Sequence, residues 1–241
     1  MFDISIKSKI FPAEGRAGQH LAIADFQLTV NSGEFVCLVG PSGCGKTTLL
    51  NIVAGLDIEY EGHVDFDNRQ AQPKIGYVFQ NPRLLPWRTV RENIELALED
   101  SSRSDHVDAL LEVMQLTQFQ HVYPERLSLG MSRRVAIIRA FAINPDLLLM
   151  DEPFVSLDAL TARQIRSLLV TLWQRRPHTV LFVTHDLREA IALADRIVFL
   201  SSAPMKTTAE INVTIPRHER ENEAIIETFR QKFLQDYPEL L

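Results

Sequence analysis

An α/β fold, with a sheet layered by helices and interrupted by a helical insert, is predicted by three features. β-rich runs stand toward both ends of the sequence and alternate with helical patterns. From Thr89 to about Ile143 only helical periodicity is found. A glycine-rich loop follows one strand-like run and opens a helical one.

In chain order, strands are predicted at 3–11, 26–30, 34–39, 63–66, 74–79, 146–150, 179–183 and 196–200, from alternating or continuous β-branched and apolar residues. Helices are predicted at 45–54, 160–173 and 187–194. The insert begins with Thr89 and Glu92, a capping-box start signal, after which Val90, Ile94 and Leu98 recur on one helical face. Val107, Leu110, Leu111 and Met114 form a second amphipathic stripe, with 101–104 as the polar connection. A last amphipathic helix at 221–233 carries Ile225, Ile226, Phe229 and Phe233, and is expected to pack on its own domain. There are no internal repeats and no low-complexity segments.

The 241 residues are 46% hydrophobic and 23% charged, the balance of a globular chain with room for one large domain or two small ones. A net charge of −6 argues against a broad nucleic-acid-binding surface. The longest apolar runs, such as 135–143, are broken by charges such as Arg139 and fall short of the roughly 18 residues that span a bilayer. The opening Met1-Phe-Asp-Ile-Ser-Ile-Lys lacks a signal-peptide core. Cys37 and Cys44 are too few and too close for a disulfide framework. These features predict a cytosolic chain that is not itself embedded in a membrane.

Gly40-Pro41-Ser42-Gly43-Cys44-Gly45-Lys46-Thr47-Thr48 fits the phosphate-binding pattern G-x-x-x-x-G-K-[ST]. Its glycines let successive N–H groups turn toward one anion, and the following helix N-terminus adds partial positive charge. Lys46 suits the β- and γ-phosphates of a nucleotide, and the Thr47 hydroxyl suits Mg²⁺. Cys44 reads as a tolerated small residue rather than a redox sensor. The apolar run 147–150 ends in Asp151 and Glu152, which delivers two acids to the strand end where α/β folds bind ligands. Asp151 suits Mg²⁺, through water, and Glu152 suits orienting or deprotonating an attacking water.

Further segments resemble the ATP-binding cassette ATPase family across nearly the whole chain. Its Q-loop resembles Val78-Phe79-Gln80, followed by Asn81-Pro82-Arg83-Leu84-Leu85-Pro86-Trp87; its signature resembles Leu127-Ser128-Leu129-Gly130-Met131. Its D-loop resembles Ser156-Leu157-Asp158, and its switch histidine resembles His185 in Thr184-His185-Asp186. The resemblance implies a P-loop NTPase fold with a RecA-like core, an antiparallel β subdomain and a helical insert subdomain. On that reading one cassette domain fills 1–241: 1–88 with 144–204 form the nucleotide-binding core, 89–143 the helical subdomain, and 205–241 a short tail with a helix.

The implied roles follow residue by residue. Gln80 would bring its amide oxygen near Mg²⁺ and the attacking water; His185 would contact the γ-phosphate and hold Glu152 and the water in line. Ser128 and Gly130, with Leu129 and Met131, would close on the ATP of a second cassette subunit in a homodimer or heterodimer, with Asp158 in the D-loop. The usual signature has glycine where this chain has Leu129 and glutamine where it has Met131. Leu129 is expected to be tolerated, its side chain turned into the helical subdomain; the alternative is a weakened composite site. Phe11 is the candidate adenine platform, since an aromatic face suffices for stacking. Arg133, Arg134 and Arg139 read equally as structural or as acting near phosphate. The other six of seven histidines lack ligand spacing, so no zinc site is expected.

Within the family, residues 80–90 and Met150-Asp151-Glu152-Pro153-Phe154 resemble importers of the nitrate, sulfonate and taurine type, as does the brief tail after Leu200. This implies an ATPase powering uptake of a small anionic or related solute. Its partners would be two transmembrane permease subunits and a periplasmic or extracellular solute-binding protein, with no nucleic acid, and the chain would sit peripherally on the cytoplasmic face of the cell membrane. A permease helix would dock near Leu84, Leu85 and Trp87. The rival readings are a cassette of lipid trafficking or export, a soluble cassette of DNA repair or translation, and a degenerate-signature partner in a heterodimeric pair.

Overall fold

The structure is a computed structural model that describes residues 1–12, 18–66, 73–98 and 104–238. The chain divides into two compact units, Met1–Gln72 with Thr179–Leu241, and Pro73–His178.

The first unit holds two groups of strands. β1 (Phe2–Phe11) lies between β2 (His20–Val30) and β4 (Glu61–Phe66) in an antiparallel sheet. Alternation drives it: Phe2, Ile4 and Ile6 are buried, with Ile6 fully so, while intervening residues are half-buried or exposed. A bulge at Lys9/Ile10 follows the buried Lys9, whose ammonium donates to the Asp57 carboxylate and the Glu59 carbonyl, both at 2.8 Å. The other strands run in the order β7 (Thr179–Thr184), β3 (Phe35–Val39), β8 (Arg196–Leu200) and β9 (Thr207–Asn212). β3 is parallel to both neighbours and every one of its residues is buried, as expected of a strand covered on both faces. Around this sheet lie α1 (Lys46–Val53), α6 (Leu187–Leu193) and α7 (Glu223–Asp236). α7 docks by stacking Phe233 on Phe199 of β8, ring centroids 4.9 Å apart.

The second unit pairs β5 (Ile75–Val78) parallel to β6 (Leu147–Asp151) and packs them with α2 (Val90–Glu95), α3 (Ser104–Val113), α4 (Leu129–Ala142) and α5 (Ala159–Arg175). α4 is its central helix: Val135, Ala136, Ile137 and Ile138 are all fully buried, so an apolar stripe alone would not describe it. Thr89 caps α2 in the expected capping box, its hydroxyl accepting from the Glu92 N–H while the Glu92 carboxylate accepts from the Thr89 N–H.

Three elements differ from the sequence expectation. β2 begins at His20, six residues before the predicted start, because residues 20–25 mix exposed and buried positions without regular alternation. β9 was not expected: Thr-Thr-Ala-Glu-Ile-Asn is an edge strand sustained by backbone pairing with β8 and buries little side chain. α2 stops at Glu95, short of Leu98, where tighter bonds from Ala97 to Ile94 and Leu98 to Glu95 turn the chain. Most of the predicted connection at 101–104 lies outside the described residues. No helix among the described residues is long and apolar enough to cross a membrane.

Candidate functional site

In the first unit, β3 runs directly into the loop 40–45, and Lys46 begins α1. Gly43 and Gly45 adopt φ of 77° and 116°, a region costly for other residues, and this turns the loop back over itself. α1 begins without a side-chain cap. Lys46 is 5% exposed and its ammonium donates to the Gly40 and Pro41 carbonyls, both at 2.8 Å. Held by these two carbonyls, the buried cation has no ion-pair partner among the described residues, the arrangement a polyphosphate would complete. Ser42 and Thr47 are exposed; Thr48 is half-buried on the first turn of α1. Cys44 is buried and its thiol is pushed up by that burial, which opposes thiolate chemistry and suits a packing role.

Phe11 ends β1, is 39% exposed, and has the Lys9 ammonium 4.7 Å from its ring centroid. It is therefore a surface aromatic with one face braced by a cation. His185 is exposed in the turn between β7 and α6. That turn is built by Thr184, whose hydroxyl donates to the Glu189 carboxylate at 2.6 Å and accepts from the Asp186 N–H at 3.0 Å. Asp186 in turn caps α6 by accepting from the Arg188 N–H. Thr184 and Glu189 went unrecognised in the sequence because a threonine and a glutamate beside a strand end carry no signal of their pairing.

In the second unit, Asp151 is 3% exposed at the end of β6, and Glu152 follows with φ of 44°. A non-glycine residue held in that region stores strain that the surrounding structure must support. Gln80, exposed after β5, donates from Nε2 to Glu152 Oε2 at 3.3 Å. Tyr77 stacks on Phe79 with centroids 3.9 Å apart, and the Arg83 guanidinium covers the other part of this platform, 4.0 Å from the Phe79 ring. Burial and the Asp151 charge together push the Tyr77 hydroxyl above its usual range, so it stays neutral. After Glu152 a tight turn, with Ser156 at φ of 63°, leads to Asp158, which caps α5 by accepting from the Thr161 N–H at 2.9 Å. Bonds from Thr161 hold the Asp158 carboxyl below its usual range.

Ser128 caps α4, its hydroxyl oxygen accepting from the Met131 N–H at 3.2 Å. Gly130 is buried, and a Cβ there would lie 2.7 Å from Thr161 Cγ2, so a larger residue would have to displace the Thr161 side chain of α5 irrespective of any ligand. Met131 is half-buried. Leu129 is 44% exposed, which differs from the expectation that its side chain turns into the helical subdomain: on the first turn of α4 it points off the unit. Arg134 and Arg139 act structurally. Arg134 donates to the Met114 carbonyl at 2.9 Å, and Arg139 to those of Pro82 and Arg83 at 2.7 and 2.9 Å. Asn93, missed in the sequence, is fully buried on α2 and bonds four backbone groups of residues 85–89: the Leu85 N–H and the carbonyls of Leu85, Arg88 and Thr89. A buried asparagine among Val90 and Ile94 was the available signal. Trp87 itself is 68% exposed.

A glycine loop between a parallel strand and a helix, with a buried lysine, defines a nucleotide-binding protein of the phosphate-loop α/β class. The ABC transporter family model matches residues 23–155, and the chain belongs to that family. It is the ATP-binding, ATP-hydrolysing cassette of the family. It is 43% identical to an aliphatic sulfonates import ATP-binding protein of Bacillus cereus, over 95% of this chain and 93% of that one. It is 44% identical to a nitrate import ATP-binding protein of Synechococcus elongatus, over 91% and 83%. Among solved structures, a dimeric ATP-binding cassette in a post-hydrolysis state with ADP and Pi is 32% identical, with TM-score 0.76 over 90% of this chain and 100% of that one.

Proposed function

We propose that ATP hydrolysis by this chain powers an importer of a small anionic solute of the sulfonate or nitrate kind. The observation that carries the catalytic part is the strained Glu152, following the buried Asp151 and hydrogen-bonded by Gln80. The solute class rests on the sulfonate and nitrate import relatives.

The roles are assigned residue by residue. Lys46 and the N–H groups of 40–48 bind the phosphates, and Phe11 stacks the base. Thr47, Asp151 and Gln80 are hard oxygen donors of the kind Mg²⁺ takes, and Mg²⁺ would supply charge neutralisation on the phosphate oxygens. Glu152 accepts a proton from water as the water oxygen bonds to the γ-phosphorus and the bridging oxygen leaves with ADP, giving ADP and phosphate. Gln80 donates to Glu152 through its amide nitrogen, which leaves the amide oxygen for the cation and the water. His185 stabilises the γ-phosphate. Ser128, Leu129, Gly130 and Met131 meet the nucleotide of a second subunit, and Asp158 shapes that interface. The helical part at 89–143 and the tail at 205–241 are read as subdivisions of one cassette.

Two permease subunits, a solute-binding protein and a peripheral position on the cytoplasmic face of the membrane complete the reading. The exposed Trp87 beside Leu84 and Leu85 is the surface offered to a permease helix. One observation favours a second reading, a weakened half-site in a heterodimer: Leu129 stands exposed next to Ser128. ATP turnover of the natural protein, Glu152→Gln and Leu129→Gly, with and without the co-purified membrane partner, tests both. Turnover abolished by Glu152→Gln and stimulated by the partner supports the importer ATPase. A silent natural protein revived by Leu129→Gly supports the half-site.

A further inference from the structure

Arg133 is an arginine with 3% of its surface exposed, on the second turn of α4, and among the described residues it has no carboxylate partner. Burial without a counter-ion lowers its pKa from the ordinary guanidinium value, so its position is maintained against a desolvation cost. Its Nε is buried with no acceptor among the described residues. The two bonds it makes go to backbone carbonyls: Nη1 to Phe79 at 3.5 Å and Nη2 to Val155 at 3.4 Å. Phe79 is the residue before Gln80. Val155 lies in the turn opened by Glu152, its N–H donating to the Glu152 carbonyl at 3.2 Å. Gln80 and Glu152 are themselves bonded side chain to side chain.

We propose that Arg133 is a positioning residue: its two-pronged guanidinium ties α4 to both segments that carry the catalytic pair, Gln80 and Glu152, and so makes their geometry depend on where the signature helix sits. The inference rests on the catalytic reading of those two residues. Only arginine has the planar fork to serve two carbonyls at once; lysine keeps the charge but presents one ammonium. Because Ser128 begins the same helix, the clamp gives a mechanical route from the signature end to the strained turn at Glu152. No proton or bond changes hands at Arg133.

The test compares the natural full chain with Arg133→Met and Arg133→Lys by steady-state ATP hydrolysis and by amide hydrogen exchange. The expected result is a kcat lowered about tenfold to a hundredfold with an unchanged KM for ATP, since small misplacement of a reacting group costs this much. In the same variants residues 79–86 and 152–158 exchange faster while 40–48 do not. Combined with Gln80→Ala, the loss is smaller than the product of the single losses, because both changes disable one unit. If Arg133→Met does not fold, Arg133→Lys carries the comparison. An unaltered kcat, a loss that falls on KM alone, multiplicative losses with Gln80→Ala, or unchanged exchange at 79–86 and 152–158 overturns the proposal. If the natural chain shows no turnover, the ATPase reading fails by itself, and the exchange data still decide whether Arg133 holds both segments.

Discussion

Gln80 Nε2 lies 3.3 Å from Glu152 Oε2, although the two residues are 72 positions apart in the chain. β5 and β6 are parallel neighbours with Val78 opposite Met150, so each strand ends at the same level and hands its next residues to the same edge. The contact is thus a consequence of register, and it assigns the amide nitrogen of Gln80 to the carboxylate.

Replacing Glu152 with glutamine retains shape and removes the proton acceptor. ATP hydrolysis is expected to fall about 10²- to 10⁴-fold, the usual worth of a general base, with nucleotide affinity retained. Rapid-quench turnover alongside equilibrium binding of ATP checks it; a variant that still turns over at the natural rate removes Glu152 from the mechanism.

Lys46 is buried, and its ammonium donates to the Gly40 and Pro41 carbonyls of the loop. Lys46→Met should weaken ATP binding by about 1.5–3 kcal/mol, the range for hydrogen bonds to charged groups. Calorimetric titration with ATP measures it, and an unchanged affinity contradicts the phosphate role.

Gly130→Ala pushes a Cβ to 2.7 Å from Thr161 Cγ2. The expected cost is about 1–3 kcal/mol of unfolding free energy, as for other overpacked sites. Adding Thr161→Ser removes that methyl group and should restore most of the loss in a denaturant titration. No recovery in the double variant would mean that the glycine is required for another reason.

His178 is buried against Phe141, ring centroids 5.5 Å apart, and burial lowers its pKa from 6.5. A histidine kept neutral in the folded chain stabilises fully above the unfolded pKa of 6.5, and that contribution is lost as pH falls from there through the folded pKa. Stability of the natural chain should therefore drop below pH 6.5 more steeply than that of His178→Phe. Urea titrations on either side of that pH compare the two slopes.

Leu129 is 44% exposed on the first turn of α4, so shortening its side chain uncovers little core. Leu129→Gly is expected to shift thermal stability by at most about 1 kcal/mol, the helix cost of glycine. A larger loss in a melting experiment would show that the side chain is structural.

The phosphate loop, the acids at 151 and 152 and the alternation of strands with helices were legible in the linear chain, because each rests on local chemistry. A glycine where φ is positive, a lysine opening a helix and a run of apolar residues all state their role within a few positions. The polar edge strand β9 was not legible, since backbone pairing holds it and leaves no apolar pattern. Nor were the roles of Arg133, Arg139 and Asn93, read in the sequence as an open choice or not at all. Their partners are backbone groups, carbonyls and for Asn93 also the Leu85 N–H, so no residue type upstream or downstream announces them. Leu129 makes the same point in reverse: its identity departs from the usual signature in the one-dimensional text, but only the direction of the first turn of α4 decides that it faces outward. Local propensity therefore specified the phosphate loop and the place of the two acids at the end of a strand, whereas the packing of α4 and the register of β5 with β6 decided which groups surround Gln80 and Glu152.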